Sequence, residues 1–173
     1  MTSSAAGLRL RPLRADDETN AIAAHEELEA EGFPFLLDWR RDEPWSAYLR
    51  KLEQLRRGLE MPPDRVPATF LVAEVGTELV GRVSIRHELN AFLTDFGGHI
   101  GFGVRPGHRR RGYAGEILRQ ALVVARAMGV DAVLATCDED NIASAKVIER
   151  AGGVLDDTRA ASDGRRWRRY WIP

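Results

Sequence analysis

One stretch of this chain narrows its fold more than any other. A strand-like segment, His99–Val104, runs through Arg105-Pro106-Gly107 and the basic turn His108-Arg109-Arg110-Arg111-Gly112-Tyr113-Ala114 straight into helical periodicity. Ala114, Ile117, Leu118, Ala121, Leu122, Ala125 and Met128 recur at three- and four-residue spacing, and Gly129 follows at the C-terminal cap position. A helix N-terminus carries unpaired N–H groups and partial positive charge, so it attracts anions, diphosphate above all. Gly112 lets the main chain approach a ligand, Ala114 keeps the next turn thin, and three arginines add charge. The segment predicts a loop that wraps a pyrophosphate with main-chain amides. Taken alone, His108–Arg111 would read as a solvated basic run or a nucleic-acid patch. Its place between a strand end and a helix start favours the anion site.

The rest of the chain alternates in a readable order. Leu8–Leu13 predicts a first strand and Ala21–Ala30 a helix stopped by Gly32. A second helix opens at Asp42 or Glu43, with Pro44 in its first turn and Trp45, Tyr48, Leu49, Leu52 and Leu55 on one stripe. Three strands follow: Thr69–Glu74, Leu79–Glu88 and His99–Val104, the last two joined by a hairpin loop over Asn90–Gly98. After the long helix come a buried strand, Val130–Ala135, a helix, Asn141–Ala151, and a closing hairpin of Val154–Thr158 and Arg165–Ile172. This β-α-α-β-β-β-α-β-α-β-β order predicts an α+β fold: a twisted, mostly antiparallel sheet of about seven strands with helices on both faces and one parallel β-α-β crossover.

The 173 residues suit one domain over 1–173, with 44% hydrophobic residues to fill a core and a net charge of −1 that selects neither nucleic acid nor membrane. One cysteine, Cys137, excludes an internal disulfide, and the four scattered histidines make no metal site. With no apolar leader and no membrane-length apolar run, a cytoplasmic setting is expected.

The segment Arg109-Arg110-Arg111-Gly112-Tyr113-Ala114 resembles the acyl-CoA signature of the GNAT superfamily, R/Q-x-x-G-x-G/A, met by Arg109, Gly112 and Ala114. A second hallmark is similar: a strand, then Asn141-Ile142-Ala143-Ser144 opening a helix, then Gly152-Gly153. The pattern His99-Ile100-Gly101-Phe102-Gly103-Val104-Arg105-Pro106 resembles the bacterial branch that includes ribosomal-protein N-terminal acetyltransferases. The resemblance covers nearly the whole chain. It implies the GNAT fold, acetyl-CoA as acetyl donor, and transfer to a primary amine of a small molecule, peptide or protein by direct attack on the thioester in a ternary complex. A homodimer is compatible with it.

The resemblance also assigns roles. Phe102, Gly103 and Val104 would face the pantetheine arm where the fourth and fifth strands splay. Arg109, Arg110, Arg111, Gly112, Tyr113 and Ala114 would hold the pyrophosphate, and Asn141 with Ser144 would touch the cofactor arm. Asn141 and Ser144 also read as a plain helix cap. By strand alternation His99, Gly101 and Gly103 share one face, and the glycines allow close approach of a ligand or of a packed side chain. His99 is the leading general base, with Glu88 as the alternative and Asp95 a further carboxylate. The tyrosine that many members carry seven residues after the asparagine is Ile148 here, so the usual acid for the leaving thiolate is missing.

The acceptor pocket is expected from Phe33, Phe35, Trp39, Trp45, Tyr48, Arg86, His87, Asn90, Phe92 and Trp167, several of which serve the core. The acidic run Glu26–Glu31 would attract a cationic acceptor or simply face solvent. The basic tail Arg165–Arg169 would pair with that run or bind an anionic group. Two other functions compete with catalysis: a non-catalytic acyl-CoA-binding or sensing module, and a nucleic-acid binder working through Arg109–Arg111.

Overall fold

A computed structural model of the chain describes Ala5 and residues 7–173. Its main elements are β1 (Arg9–Arg11), α1 (Glu18–Glu29), α2 (Trp45–Arg57), β2 (Ala68–Val75), β3 (Glu78–Arg86), β4 (Ile100–Val104), α3 (Tyr113–Ala127), β5 (Val133–Asp138), α4 (Ile142–Arg150), β6 (Val154–Ala160) and β7 (Arg166–Ile172). The strands form one seven-stranded sheet in the order β1-β2-β3-β4-β5-β7-β6. Among the described residues only β4 and β5 are parallel neighbours; the α3 crossover joins them. The α+β class and the element order agree with the sequence reading.

Alternation along the strands sends side chains into two cores. Val83, Ile85, Ile100 and Val104 meet Ile117, Leu118 and Ala121 of α3 and Ile148 of α4 on one face. Phe70 and Val72 meet Ala21, Ala24 and Leu28 of α1 and Trp45 and Tyr48 of α2 on the other.

Several boundaries differ from expectation: α2, expected to open at Asp42 or Glu43, opens at Trp45 with Pro44 as its N-cap rather than in its first turn. The first strand stops at Arg11, since Pro12 has no N–H to extend a ladder. The loop over Asn90–Gly98 contains a wide helical turn, Leu93–Gly97. Asn90 Oδ1 accepts the Leu93 N–H at 2.9 Å, and the Gly98 N–H donates to the Leu93 carbonyl at 2.6 Å. The strand expected at Val130–Ala135 lies three residues later, because Thr136, Cys137 and Asp138 pair with Arg169, Arg168 and Trp167 of β7. A polar stretch becomes strand when a neighbour supplies its ladder bonds.

The sheet edge at β1 carries a buried ion cluster. Arg11 Nη1 and Nη2 donate to Asp17 Oδ2 and Oδ1 at 2.6 and 2.8 Å, and Nη2 also reaches Glu74 Oε1 at 2.7 Å. Hydrogen bonding from Arg11, against the cost of burial, holds the Glu74 carboxyl down at about 2. Burial pushes Asp17 upward, but the Arg11 bond and the Arg14 N–H outweigh it and its pKa falls. Both carboxyls titrate lower in the folded than in the unfolded chain. Their stabilisation is therefore complete above the ordinary carboxylate range and drains away as pH falls from about 5 toward 2. Urea midpoints measured between pH 6 and pH 3 should drop steeply, and Glu74→Gln should flatten that dependence. An equal slope in both proteins would remove the cluster from the acid response.

Candidate active site at the β4–β5 split

β4 is fully paired on one side and almost bare on the other. Its ladder with β3 runs from Gly81↔Val104 to Ile85↔Ile100, whereas its ladder with β5 is a single pair, Ile100↔Ala135. The Arg86 N–H bonds the His99 carbonyl at 2.7 Å and the Arg105 N–H bonds the Val80 carbonyl at 2.9 Å. Odd-numbered residues of this stretch thus face β3, and alternation turns the main-chain groups of Phe102 and Val104 toward the gap. Arg109 Nε donates to the Val104 carbonyl at 3.1 Å, which ties the following loop to the mouth of the split.

That loop is shaped for amide donation. Arg110 (φ 62°) and Gly112 (φ 82°) are both left-handed, and such reversals turn successive N–H groups toward one point, an anion nest. Gly112 is the N-cap of α3, and the Glu116 N–H bonds back to its carbonyl at 3.2 Å. The amides of Tyr113, Ala114 and Gly115 lie ahead of that first helical bond and remain for a ligand. Tyr113 is only 5% exposed, so its ring anchors the turn in the core. The side chain of Arg109 is committed to Glu31, Nη2 to Oε2 at 2.6 Å, beside its bond to Val104. Arg110 and Arg111 are exposed, with no hydrogen-bond or ion-pair partner among the described residues.

His99 sits where the split begins. Its N–H donates to the Leu134 carbonyl at 2.7 Å, and its Nδ1 accepts the Leu134 N–H at 2.9 Å. Burial, and then the charge of Arg86, lower its pKa, so the ring is neutral near pH 7 and carries its proton on Nε2. The lone pair a base would use is already bonded to a backbone amide. In this geometry His99 pins β4 to β5 at the head of their single residue pair. Of the carboxylates named with it, Asp95 is ion-paired to Arg159 and Glu88 stands exposed beyond β3.

On the face opposite α3, the glycines of β4 make room for neighbouring side chains. A Cβ on Gly103 would stand 2.5 Å from Phe33 Cε1, and one on Gly101 would stand 3.2 Å from Arg86 Nη1. Phe35, Trp45 and Tyr48 belong to the core, and His87 bonds Thr69 Oγ1 at 2.8 Å. Asn90 caps the Leu93–Gly97 turn, Trp39 packs edge-on against His25, Phe92 is exposed, and Trp167 lies on β7 opposite Asp138; Phe33 and Arg86 meet β4 at its glycines. Sequence reading passed over Arg82, which joins them there; on a strand, its alternation with Val83 and Ile85 looks like an ordinary solvent face.

Asn141 Oδ1 accepts the Ser144 N–H at 3.1 Å and caps α4, so that oxygen is engaged in the fold. Ile148 is fully buried in the α3-side core, and burial pushes the Cys137 thiol up to about 11. The acidic run does more than face solvent: Glu27 binds Arg105 at 2.9 Å and Glu31 binds Arg109, strapping α1 to the loop. The basic tail does not pair with α1. Arg166 binds Glu139, and Arg169 binds Asp156 and Asp157.

A mostly antiparallel sheet split between its two parallel strands, with an amide-lined helix mouth at the open end, defines the acetyl-CoA-dependent N-acetyltransferase class. A family model described as acetyltransferase (GNAT) domain matches residues 7–154, and the chain belongs to that family. Acetyl-CoA is the family's donor. The chain is similar in fold to RimJ of Mycobacterium smegmatis, solved with CoA-disulfide (18% identity, 95% of this chain and 81% of that one, TM-score 0.71). It is also similar to yncA of Salmonella typhimurium, a putative acetyltransferase solved with acetyl-CoA (16% identity, 96% and 93%, TM-score 0.64). A third similar structure, also from Salmonella typhimurium, is the acetyltransferase that modifies the N-terminal serine of ribosomal protein L7/L12 (15% identity, 97% and 95%, TM-score 0.68). A sequence search of curated proteins finds no match. Among the described residues, no helix is long and apolar enough to cross a membrane and no group of side chains could hold a metal ion.

Proposed function

We propose that the chain acetylates a primary amine by direct attack on the acetyl-CoA thioester in a ternary complex. The observation that carries this reading is the one-pair ladder between β4 and β5, which leaves Phe102 and Val104 main-chain groups facing a gap. A pantetheine arm entering that gap would complete β4 as a neighbouring strand does, with the Phe102 N–H available to the thioester oxygen as negative charge develops. Tyr113, Ala114 and Gly115 amides would receive the pyrophosphate, and Arg110 and Arg111 would add long-range attraction.

The acceptor nitrogen reaches the thioester from the Gly101–Gly103 face. It binds as the neutral amine, and the proton it sheds on attack passes to solvent or to Glu88. His99 orients the split and takes no proton. The leaving thiolate is protonated from solvent, since Ile148 offers no donor.

Release of free thiol from acetyl-CoA in the presence of an amine panel tests the reaction. His99→Gln should lower kcat by less than about tenfold and leave the rising limb of the pH–rate profile in place. Loss or displacement of that limb would return the base role to His99. Binding of acetyl-CoA with no transfer to any amine would favour the sensing module.

A further inference from the structure

Buried arginines in this molecule come with carboxylates, with one exception. Arg11 has Asp17 and Glu74, and Arg169 has Asp156 and Asp157. Arg82, 3% exposed, has none among the described residues. Its Nη1 donates to the Gly101 carbonyl at 3.1 Å and its Nη2 to the Pro34 carbonyl at 2.7 Å, its guanidinium lies 4.2 Å from the Phe33 ring centre, and its buried Nε has no partner. Arg86, on the same face of β3, likewise lacks a carboxylate; its Nη1 donates to the Gly97 carbonyl at 3.2 Å and lies over Gly101.

The charges acting on this pair are largely positive. Burial and then the charge of Arg86 pull Arg82 down to about 9; burial and then Arg65 pull Arg86 down to about 10. Asp38 is held by Arg65 at 2.5 Å and Asp95 by Arg159. Backbone carbonyls answer part of the charge, but a buried cation is normally matched by an anion. The unmatched pair adjoins Gly101 and Gly103, the same stretch of β4 whose other edge opens on the split. A small molecule with its amine at the split would present a nearby anionic group here.

Resting on the acetyltransferase reading, we propose that Arg82 and Arg86 form a carboxylate seat for the acceptor, so that the acceptor is an amino acid or a similar small amine carrying a carboxylate. Arg86, the more exposed of the two, makes the direct contact. Arg82 backs it with charge and its spare Nε–H.

The test compares amino acids with their matching amides as acceptors, with thermal melts run on the same samples. The expected result is a kcat/KM ratio of acid over amide of about ten to a hundred, the worth of one charged hydrogen bond. Arg86→Gln should bring the ratio near one, and Arg86→Lys should restore part of it. A purely structural Arg86 would lower both members alike and leave the ratio unchanged, which would overturn the seat, as would a wild-type ratio near one. If acetyl-CoA raises the melting temperature but no acceptor turns over, the seat stands only if carboxylated amines add stabilisation that Arg86→Gln removes; absence of that stabilisation overturns it. Failure of acetyl-CoA itself to stabilise the protein would instead sink the acetyltransferase reading.

Discussion

Gly112→Asp abolishes the stabilisation that acetyl-CoA gives the folded chain. Ligand at about 100 times its dissociation constant adds roughly 2.7 kcal/mol to a protein that binds it only when folded. Gly112 is the N-cap of α3 at φ 82° and ψ 0°, immediately before the free amides of Tyr113, Ala114 and Gly115. An aspartate there sets a carboxylate where the diphosphate would sit, so like charges meet at close range and the ligand is displaced. The left-handed backbone adds a separate cost of about 1–2 kcal/mol to the free protein, smallest for Asp and Asn. Gly112→Asn controls for that cost, since it has the same shape without the charge. A thermal-shift titration should show no acetyl-CoA response for the Asp variant and a weakened one for the Asn variant. Full response in the Asp variant would place the phosphates away from this loop.

Arg11→Met destabilises the fold by about 3–5 kcal/mol, the usual cost of stranding a buried charge. Asp17 and Glu74 would stay behind in a site where both are almost inaccessible, with only the Arg14 N–H and Arg9 to answer them. For a chain of this size the loss corresponds to a melting temperature lower by roughly 6–20 °C. Because the charge rather than the volume is at fault, adding Asp17→Leu and Glu74→Leu to Arg11→Met should recover most of the stability. Calorimetry on the single and triple variants measures both effects. A single variant as stable as the parent would show that water reaches the cluster.

The expected acetyl-CoA site and the acceptor face were unequally legible. The cofactor loop is local: Arg109, Gly112 and Ala114 act within one turn of chain, and helical periodicity marks where α3 begins. The capping by Asn141 is local too, and its spacing to Ser144 carries the whole signal. The setting of His99 was not legible, because it depends on Leu134, 35 residues away, whose N–H takes the imidazole lone pair. Arg82 was missed because burial of a strand's polar face depends on what packs over it, and here that is Phe33 from the α1–α2 connector. The basic tail does not reach the acidic run of α1, since β6 offers Asp156 and Asp157 beside Arg169.

Residue order alone determined the succession of helices and strands, the α+β class and the position of the amide-lined helix mouth, because each follows from spacing, caps and glycine over a few neighbouring residues. Tertiary structure decided the extent of β5, the partners of every buried charge and the protonation of His99. Those depend on groups brought together from distant parts of the chain, and desolvation acts on a side chain only once its neighbours have closed around it.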